Sequence, residues 1–383
     1  MLRRSHELAS ASEPHFRLPR PRALVSYAPR AMATYDLIAD LPLTVEGYEL
    51  EGLSRTVSSG FERLTTVVHL RGGGEEGVGE DVTYSADDQR AQLDHGPALG
   101  LAGDWTFDSF STRLGELDLF PARPPDAPVF RLYRRWAFES AALDLALRRA
   151  GRALHELLGR EPAPVRFVVS SRLGEPSTIE PVRRRLARHP GLRFKLDATP
   201  DWDDALIAAL VQTGAVDSID FKGAYKGTAV DVPTDPDLYR RVAEAFPDAW
   251  LEDPDLDPPE ARAALAGHEE RITWDAPIHS VADILARPVI PRTVNLKPSR
   301  FGSVRALFEA YDFCSEHDMG AYGGGQYELG VGRGQIQLLA AIFHPDGPND
   351  IAPGGYDSID PEPGLPASPL DPRPAATGFR RAD

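Results

Sequence analysis

From about Leu41 onward the apolar and polar positions follow two regimes. Thr44 to Leu53 and Thr65 to Arg71 alternate apolar with polar residues, which predicts half-buried strands, and Gly72-Gly73-Gly74 turns the second run into Glu76-Gly77-Val78-Gly79-Glu80. Arg131 to Gly159 reads as helix, with Phe138, Ala142, Leu145 and Ala146 on one face. After Gly159, short apolar runs alternate with amphipathic stretches. Strands are expected at Val165–Ser170, Arg193–Asp197, Ser218–Lys222, Trp250–Asp253, Ile272–Asp275, Thr293–Lys297, Gly320–Gly323 and Asp350–Pro353. Helices are expected between them, as at Ile179–Arg188, Ala205–Gln212, Leu238–Phe246, Pro259–Ala266 and Val304–His317. Eight strands with intervening helices favour a closed parallel barrel over an open sheet. The fold class is therefore α/β, a (β/α)₈ TIM-like barrel (161–355) behind an N-terminal α+β domain (41–160), with a C-terminal segment (356–383) expected to return to that domain. Met1 to Arg30 are rich in Arg, Pro and Ser, without periodicity or an apolar signal core. Residues 1–40 read as a disordered extension, or as the product of an upstream start codon with Met32 as the true beginning.

Composition narrows the class. Hydrophobic residues make up 42% and charged residues 26% of the 383, the balance of a globular protein, and no apolar run approaches a bilayer span. The net charge of −16 argues against nucleic acid as a partner. A single cysteine, Cys314, excludes an internal disulfide and a multi-cysteine zinc site, and a cytoplasmic location is expected.

The informative feature is where the charges fall. Asp220, Glu252, Asp275 and Lys297 each stand at the C-terminal end of a predicted strand, where barrel enzymes place catalytic groups. One acidic residue there is as well explained as a helix N-cap. Three on neighbouring strands converge at the barrel mouth, where unpaired buried charges cost several kcal/mol each. A hard divalent cation with oxygen ligands, Mg²⁺, resolves that conflict.

On these residues the sequence resembles the enolase superfamily, in its muconate lactonizing enzyme branch. The resemblance runs from about Leu41 through nearly the whole chain. Val78-Gly79-Glu80 is similar to the family's capping domain, and Ala141–Leu147 with Leu157-Leu158-Gly159 to its linker into the barrel. The resemblance implies that Asp220, Glu252 and Asp275 are Mg²⁺ ligands, that Lys297 is an acid/base lysine, and that Gln326 and Glu328, in the seventh-strand loop, bind substrate. Three positions depart from the pattern. The family's second-strand Lys-x-Lys is Lys195-Leu196-Asp197, the Asn usual two residues past the first ligand is Lys222, and the Glu common after the fifth-strand Asp is Ala276. A rival register, with Asp197 and Asp220 as the first two ligands, leaves Glu252 without a role.

The resemblance implies abstraction of the proton next to a substrate carboxylate, giving a metal-stabilised enediolate, with isomerase- or cycloisomerase-like chemistry. Lys297 would be one acid/base, its charged form disfavoured by the metal and other cations close to it. Opposite it, either Asp197 replaces the missing lysine or Lys222 takes over its charge with Asp197 as partner; Lys195 reads as an electrostatic modulator. His279 and Tyr84 are candidate substrate contacts, as are Tyr225, Arg300 and Tyr327, although a loop histidine such as His279 is more often a surface hydrogen-bonder. The capping loops Ser54–Arg63 and Asp81–Arg90 would set specificity. The alternatives are an acid-sugar or hydroxy-acid dehydratase and a non-catalytic descendant of the fold. The expected partner is a small carboxylate; neither nucleic acid nor membrane is expected, and a homo-oligomer is an expectation from the resemblance alone.

Overall fold

The computed structural model describes residues 33–57, 61–228, 230–358 and 360–382. Most of the extension read at 1–40, and residues 58–60 of the first capping loop, lie outside them. The described fold begins ahead of Leu41, in the short helix α1 (Asp36–Ala39), where Tyr35 and Ile38 are buried.

The strand predicted over Thr44–Leu53 is divided at Glu46 into β1 (Pro42–Val45) and β2 (Gly47–Thr56). The chain continues through β3 (Glu62–Gly72), β4 (Glu75–Asp81), α2 (Ala86–His95), β5 (Gly103–Thr106), α3 (Phe107–Glu116) and α4 (Phe130–Arg149). β2, β3 and β4 form an antiparallel meander and β1 pairs with β5. At the β3–β4 turn Gly73 and Gly74 take φ of 61° and 76°, which side chains rarely adopt. The meander packs on α4 almost backbone to backbone. A Cβ on Gly77 would lie 2.2 Å from the Ala141 carbonyl oxygen, and one on Gly79 2.1 Å from that of Ala137. The helix predicted through Gly159 instead breaks at Gly151 (φ 63°) and resumes as α5 (Leu154–Leu158).

The barrel comes next, as β6 (Val169–Ser171), α6 (Glu180–Arg188), β7 (Phe194–Asp197), α7 (Asp204–Thr213), β8 (Val216–Asp220), α8 (Pro236–Ala245), β9 (Trp250–Glu252), α9 (Pro259–Ala264) and β10 (Ile272–Thr273). It continues with α10 (Val281–Leu285), β11 (Thr293–Asn295), α11 (Pro298–Phe301), α12 (Val304–Glu316), β12 (Gly320–Tyr322) and α13 (Val331–Phe343). β6 to β10 pair in parallel in chain order, as do β11 and β12. The Asn295 amide donates to the Trp274 carbonyl at 3.1 Å and joins the two sheets.

The eighth position differs from the prediction of a strand at Asp350–Pro353. Single bridges from Asn349 to Phe167 and from Asp350 to Gly324 close the ring, and no regular strand forms there. The Asn349 side chain does the joining. Its Oδ1 accepts from the Gly323 amide and from His344 Nδ1, each at 2.7 Å, and its Nδ2 reaches the carbonyls of Arg166, His344 and Gly347 at 3.0 Å. Burial pushes the His344 imidazole down to about 4, so it stays neutral in this network.

Two buried carboxylates bind the N-terminal domain to the barrel and to the C-terminal segment. Glu80, on β4, accepts from the amides of Leu329, Gly330 and Gly332 at the start of α13, a favourable place for a negative group. Asp144, on α4, accepts from the amides of Val78 and Phe379 and from Arg380, which draws the C-terminal segment onto the meander. Among the described residues no helix is long and apolar enough to cross a membrane.

Asn349→Ala removes the five side-chain hydrogen bonds at the closure and leaves their partners unpaired. It is expected to cost about 3 kcal/mol, read as a lower denaturant midpoint with the secondary structure of the native protein retained below it.

Candidate active site

The C-terminal ends of the strands gather the charged groups. Asp220 ends β8, Glu252 ends β9, and Asp275 stands two residues beyond β10. Asp220 is in register with Glu252, and Glu252 with Thr273, so these side chains share the inner face of the parallel sheet. All three carboxylates are fully buried, and each offers an oxygen within 4.8 Å of the others.

Four cations answer them. Lys195 Nζ contacts Glu252 Oε1 and lies 3.3 Å from Asp220 Oδ2, 4.0 Å from Asp275 Oδ2 and 3.9 Å from Asp350 Oδ2. Lys222 Nζ lies 3.3 Å from Asp197 Oδ1 and also pairs with Asp220. Lys297 Nζ is 2.9 Å from Asp275 Oδ2. Arg300 donates to the Asp275 carbonyl at 3.0 Å and to the Tyr225 hydroxyl at 2.9 Å. The Tyr322 hydroxyl donates to Glu252 Oε2.

Burial alone pushes every carboxyl here up. At Asp220 the ammonium groups of Lys222 and Lys195 overcome it and hold the group at about 2. At Asp275 burial is overcome by Arg300, Lys297 and Lys195, and the carboxyl lies well below its usual range. Glu252 stays up, at about 8, because burial together with Asp220 and Asp275 outweighs Lys195. For Lys297, burial is the largest influence and, with Lys195 and Arg300, favours the neutral amine, but Asp275 together with Tyr225 turns the balance and holds the ammonium above its ordinary value.

The donor set suits a hard cation. It is all oxygen, its three members converge, and Asp275 Oδ1 is buried without a hydrogen-bond partner. Asp197, the first ligand of the rival register, pairs with Lys222 and lies outside the converging set. Lys222 and Asp253 hold left-handed backbone, φ 55° and 48°, beside two of these carboxylates. Such strain costs on the order of 1–3 kcal/mol and concentrates at functional sites.

Other predicted residues form a second group against the N-terminal domain. The Gln326 side chain meets the hydroxyls of Tyr84 at 3.0 Å and Tyr133 at 3.2 Å, and its carbonyl accepts from Arg63 at 2.9 Å. Glu328 Oε1 accepts from the Gln326 amide at 2.8 Å, and its Oε2 has no hydrogen-bond partner. The glycine run between the two groups lets the loop pass Lys297, because a Cβ on Gly324 would sit 2.4 Å from the lysine Cε. His279 stands apart. Its Nδ1 donates to the Arg300 carbonyl at 3.1 Å, and no hydrogen bond or ion pair joins it to the carboxylates.

Sequence reasoning named Arg300 and Tyr225 only as candidate substrate contacts and missed Asp253, Tyr322 and Asp350. A further signal was available in the basic residues. The chain holds 38 arginines and four lysines, and three of those four, Lys195, Lys222 and Lys297, meet in this cluster.

Comparison with known proteins agrees with the architecture. A family described as a domain of unknown function, DUF8230, matches with its N-terminal domain at residues 36–157 and its C-terminal domain at residues 161–358. Among curated relatives, o-succinylbenzoate synthase from Enterococcus faecalis is 28% identical over 204 residues, 51% of this chain and 54% of that protein. The enzyme of the same name from Bacillus subtilis is 36% identical over 61 residues, 16% of each. The chain thus spans about half the length of the first relative. Among solved structures, dipeptide epimerase from Methylococcus capsulatus, complexed with a Mg ion, superposes with a TM-score of 0.64 at 19% identity, covering 89% of this chain and all of that one. A probable mandelate racemase from Alicyclobacillus acidocaldarius gives 0.60 at 24% identity, with 82% and 87% covered. Muconate lactonizing enzyme gives 0.54 at 20%, with 78% and 83% covered.

If the converging carboxylates hold a divalent cation, millimolar Mg²⁺ raises the melting temperature. Saturation at 100 times the dissociation constant corresponds to about 2.7 kcal/mol. Glu252→Gln is expected to lose that increment in thermal unfolding measured with and without Mg²⁺.

Proposed function

The chain belongs to the DUF8230 family and has the fold of the enolase superfamily, muconate lactonizing enzyme-like branch; from that premise we propose that it is a Mg²⁺-dependent enzyme that removes the α-proton of a small carboxylate substrate, with isomerase- or cycloisomerase-like chemistry. The observation that carries this reading is the choice of cation. Elsewhere the chain uses arginine for nearly every positive charge, yet at this mouth it places three lysines. Arginine cannot release its proton in a protein, and lysine can.

Asp220, Glu252 and Asp275 would hold the cation. When bound, it would stabilise the negative charge that develops on the substrate carboxylate oxygens. Lys297 is the acid/base on one side. Asp275 holds it protonated, whereas Lys195 and Arg300 act in the opposite sense, and that balance sets whether it gives or takes a proton. The Asp197–Lys222 pair, from the second and third strands, supplies the other side in place of a second-strand lysine. Lys195, in contact with the carboxylates, modulates the field. Gln326, Glu328 and Tyr84 sit where the barrel loop meets the N-terminal domain, and we assign substrate contact to them. His279 donates to the Arg300 carbonyl, and we assign it contact with substrate through that residue.

A second reading, loss of a β-hydroxyl after proton abstraction, draws on Asp197. Burial pushes its carboxyl up, so it can carry the proton that a departing hydroxyl needs.

The test is Mg²⁺-dependent exchange of substrate α-protons with deuterium across a carboxylate library, read by mass spectrometry. Lys297→Ala is expected to slow exchange by roughly 10²–10⁴-fold with Mg²⁺ affinity nearly unchanged. Exchange at the native rate in that variant would exclude the assigned role.

A further inference from the structure

Asp275 sits beyond the end of its strand. β10 covers only Ile272 and Thr273, so the ladder stops two residues short of this carboxylate. Its backbone is held by side chains instead. The Asp253 carboxylate accepts from two successive amides, Asp275 N–H at Oδ1 and Ala276 N–H at Oδ2, each at 2.9 Å. From the other side Arg300 donates to the Asp275 carbonyl at 3.0 Å.

The main chain of Asp253 ties the neighbouring strands as well. Its amide donates to the Thr273 carbonyl at 3.0 Å, and its own carbonyl accepts from Gly223 at 2.9 Å. The segments carrying Asp220, Glu252 and Asp275 therefore meet at this residue. Asp253 is fully buried and holds a left-handed backbone, φ 48°. Among the described residues no basic side chain forms an ion pair with it; the cations of the site go to Asp220, Glu252 and Asp275. A buried carboxylate without a cation is costly, and two backbone N–H donors aimed at its two oxygens are what compensates it.

We propose that Asp253 is the positioning residue of the site, a bracket that fixes the peptide units on both sides of Asp275 so that its carboxylate converges with those of Asp220 and Glu252. The inference rests on the metal-binding reading above and deepens it. The chemistry explains the residue type, because only a carboxylate offers two oxygens free of hydrogen. An amide at the same place turns one donor against a backbone N–H and loses half the bracket.

The test compares Mn²⁺ affinity, by calorimetry and by the electron paramagnetic resonance of free Mn²⁺, in the native protein, Asp253→Asn and Asp253→Gly. Glycine adopts the left-handed backbone freely, so that variant removes the bracket while sparing the turn. Both variants are expected to bind Mn²⁺ roughly 10–100-fold more weakly, the usual effect of losing a group that orients a ligand. Leu114→Ala, a truncation in the buried face of α3 in the N-terminal domain, lowers stability but is expected to bind within about twofold of native, so general destabilisation is separated from positioning. Native affinity in a folded Asp253→Gly protein would overturn the proposal and leave the metal site standing. No Mn²⁺ binding by the native protein would overturn the metal reading, and this proposal with it.

Discussion

The barrel mouth is possible only because opposite charges cancel inside it. Asp220, Glu252 and Asp275 are fully buried, and each would be destabilising by several kcal/mol alone. Lys195 touches Glu252 and reaches the other two, Lys222 serves Asp220, and Lys297 and Arg300 serve Asp275. Lys195 stands within β7, Lys222 and Lys297 stand two residues beyond β8 and β11, and Arg300 stands in α11, so the barrel's order of strands decides which charge meets which. The same arrangement supplies both things that proton abstraction needs, a converging set of oxygen donors and amines beside it.

The rest of the molecule keeps those strand ends in place. Asn349 closes the ring with side-chain hydrogen bonds where no regular strand forms. Glu80 ties the N-terminal domain to the start of α13, next to the loop that carries Gln326 and Glu328. Asp144 draws the C-terminal segment back onto the same domain. These are buried carboxylates or amides satisfied by backbone groups, which fix one geometry because leaving them unpaired is costly.

Much of this was legible in the sequence, and the reason is positional. Asp220 and Glu252 stand at the ends of short apolar runs that alternate with helices, as barrel strands do, and Asp275 and Lys297 each stand two residues beyond theirs. The eighth strand was not legible, because its closure depends on one asparagine side chain and not on an apolar pattern. The break at Glu46 divides a continuous alternation, and the break at Gly151 interrupts a helical face that resumes in phase with its apolar residues. Asp253 was hidden by its neighbour. Alternation assigns it to the outer face of its strand, and only the left-handed backbone turns its carboxylate toward Asp275. His279, read first as a hydrogen-bonder, donates to the Arg300 carbonyl.

The central claim is that the three carboxylates form one cation site. The most direct measurement is anomalous diffraction from crystals grown with Mn²⁺. The account predicts a single strong peak bounded by the side-chain oxygens of Asp220, Glu252 and Asp275. A map without a peak there, with Lys195 still seated among the three carboxylates at saturating Mn²⁺, would contradict it.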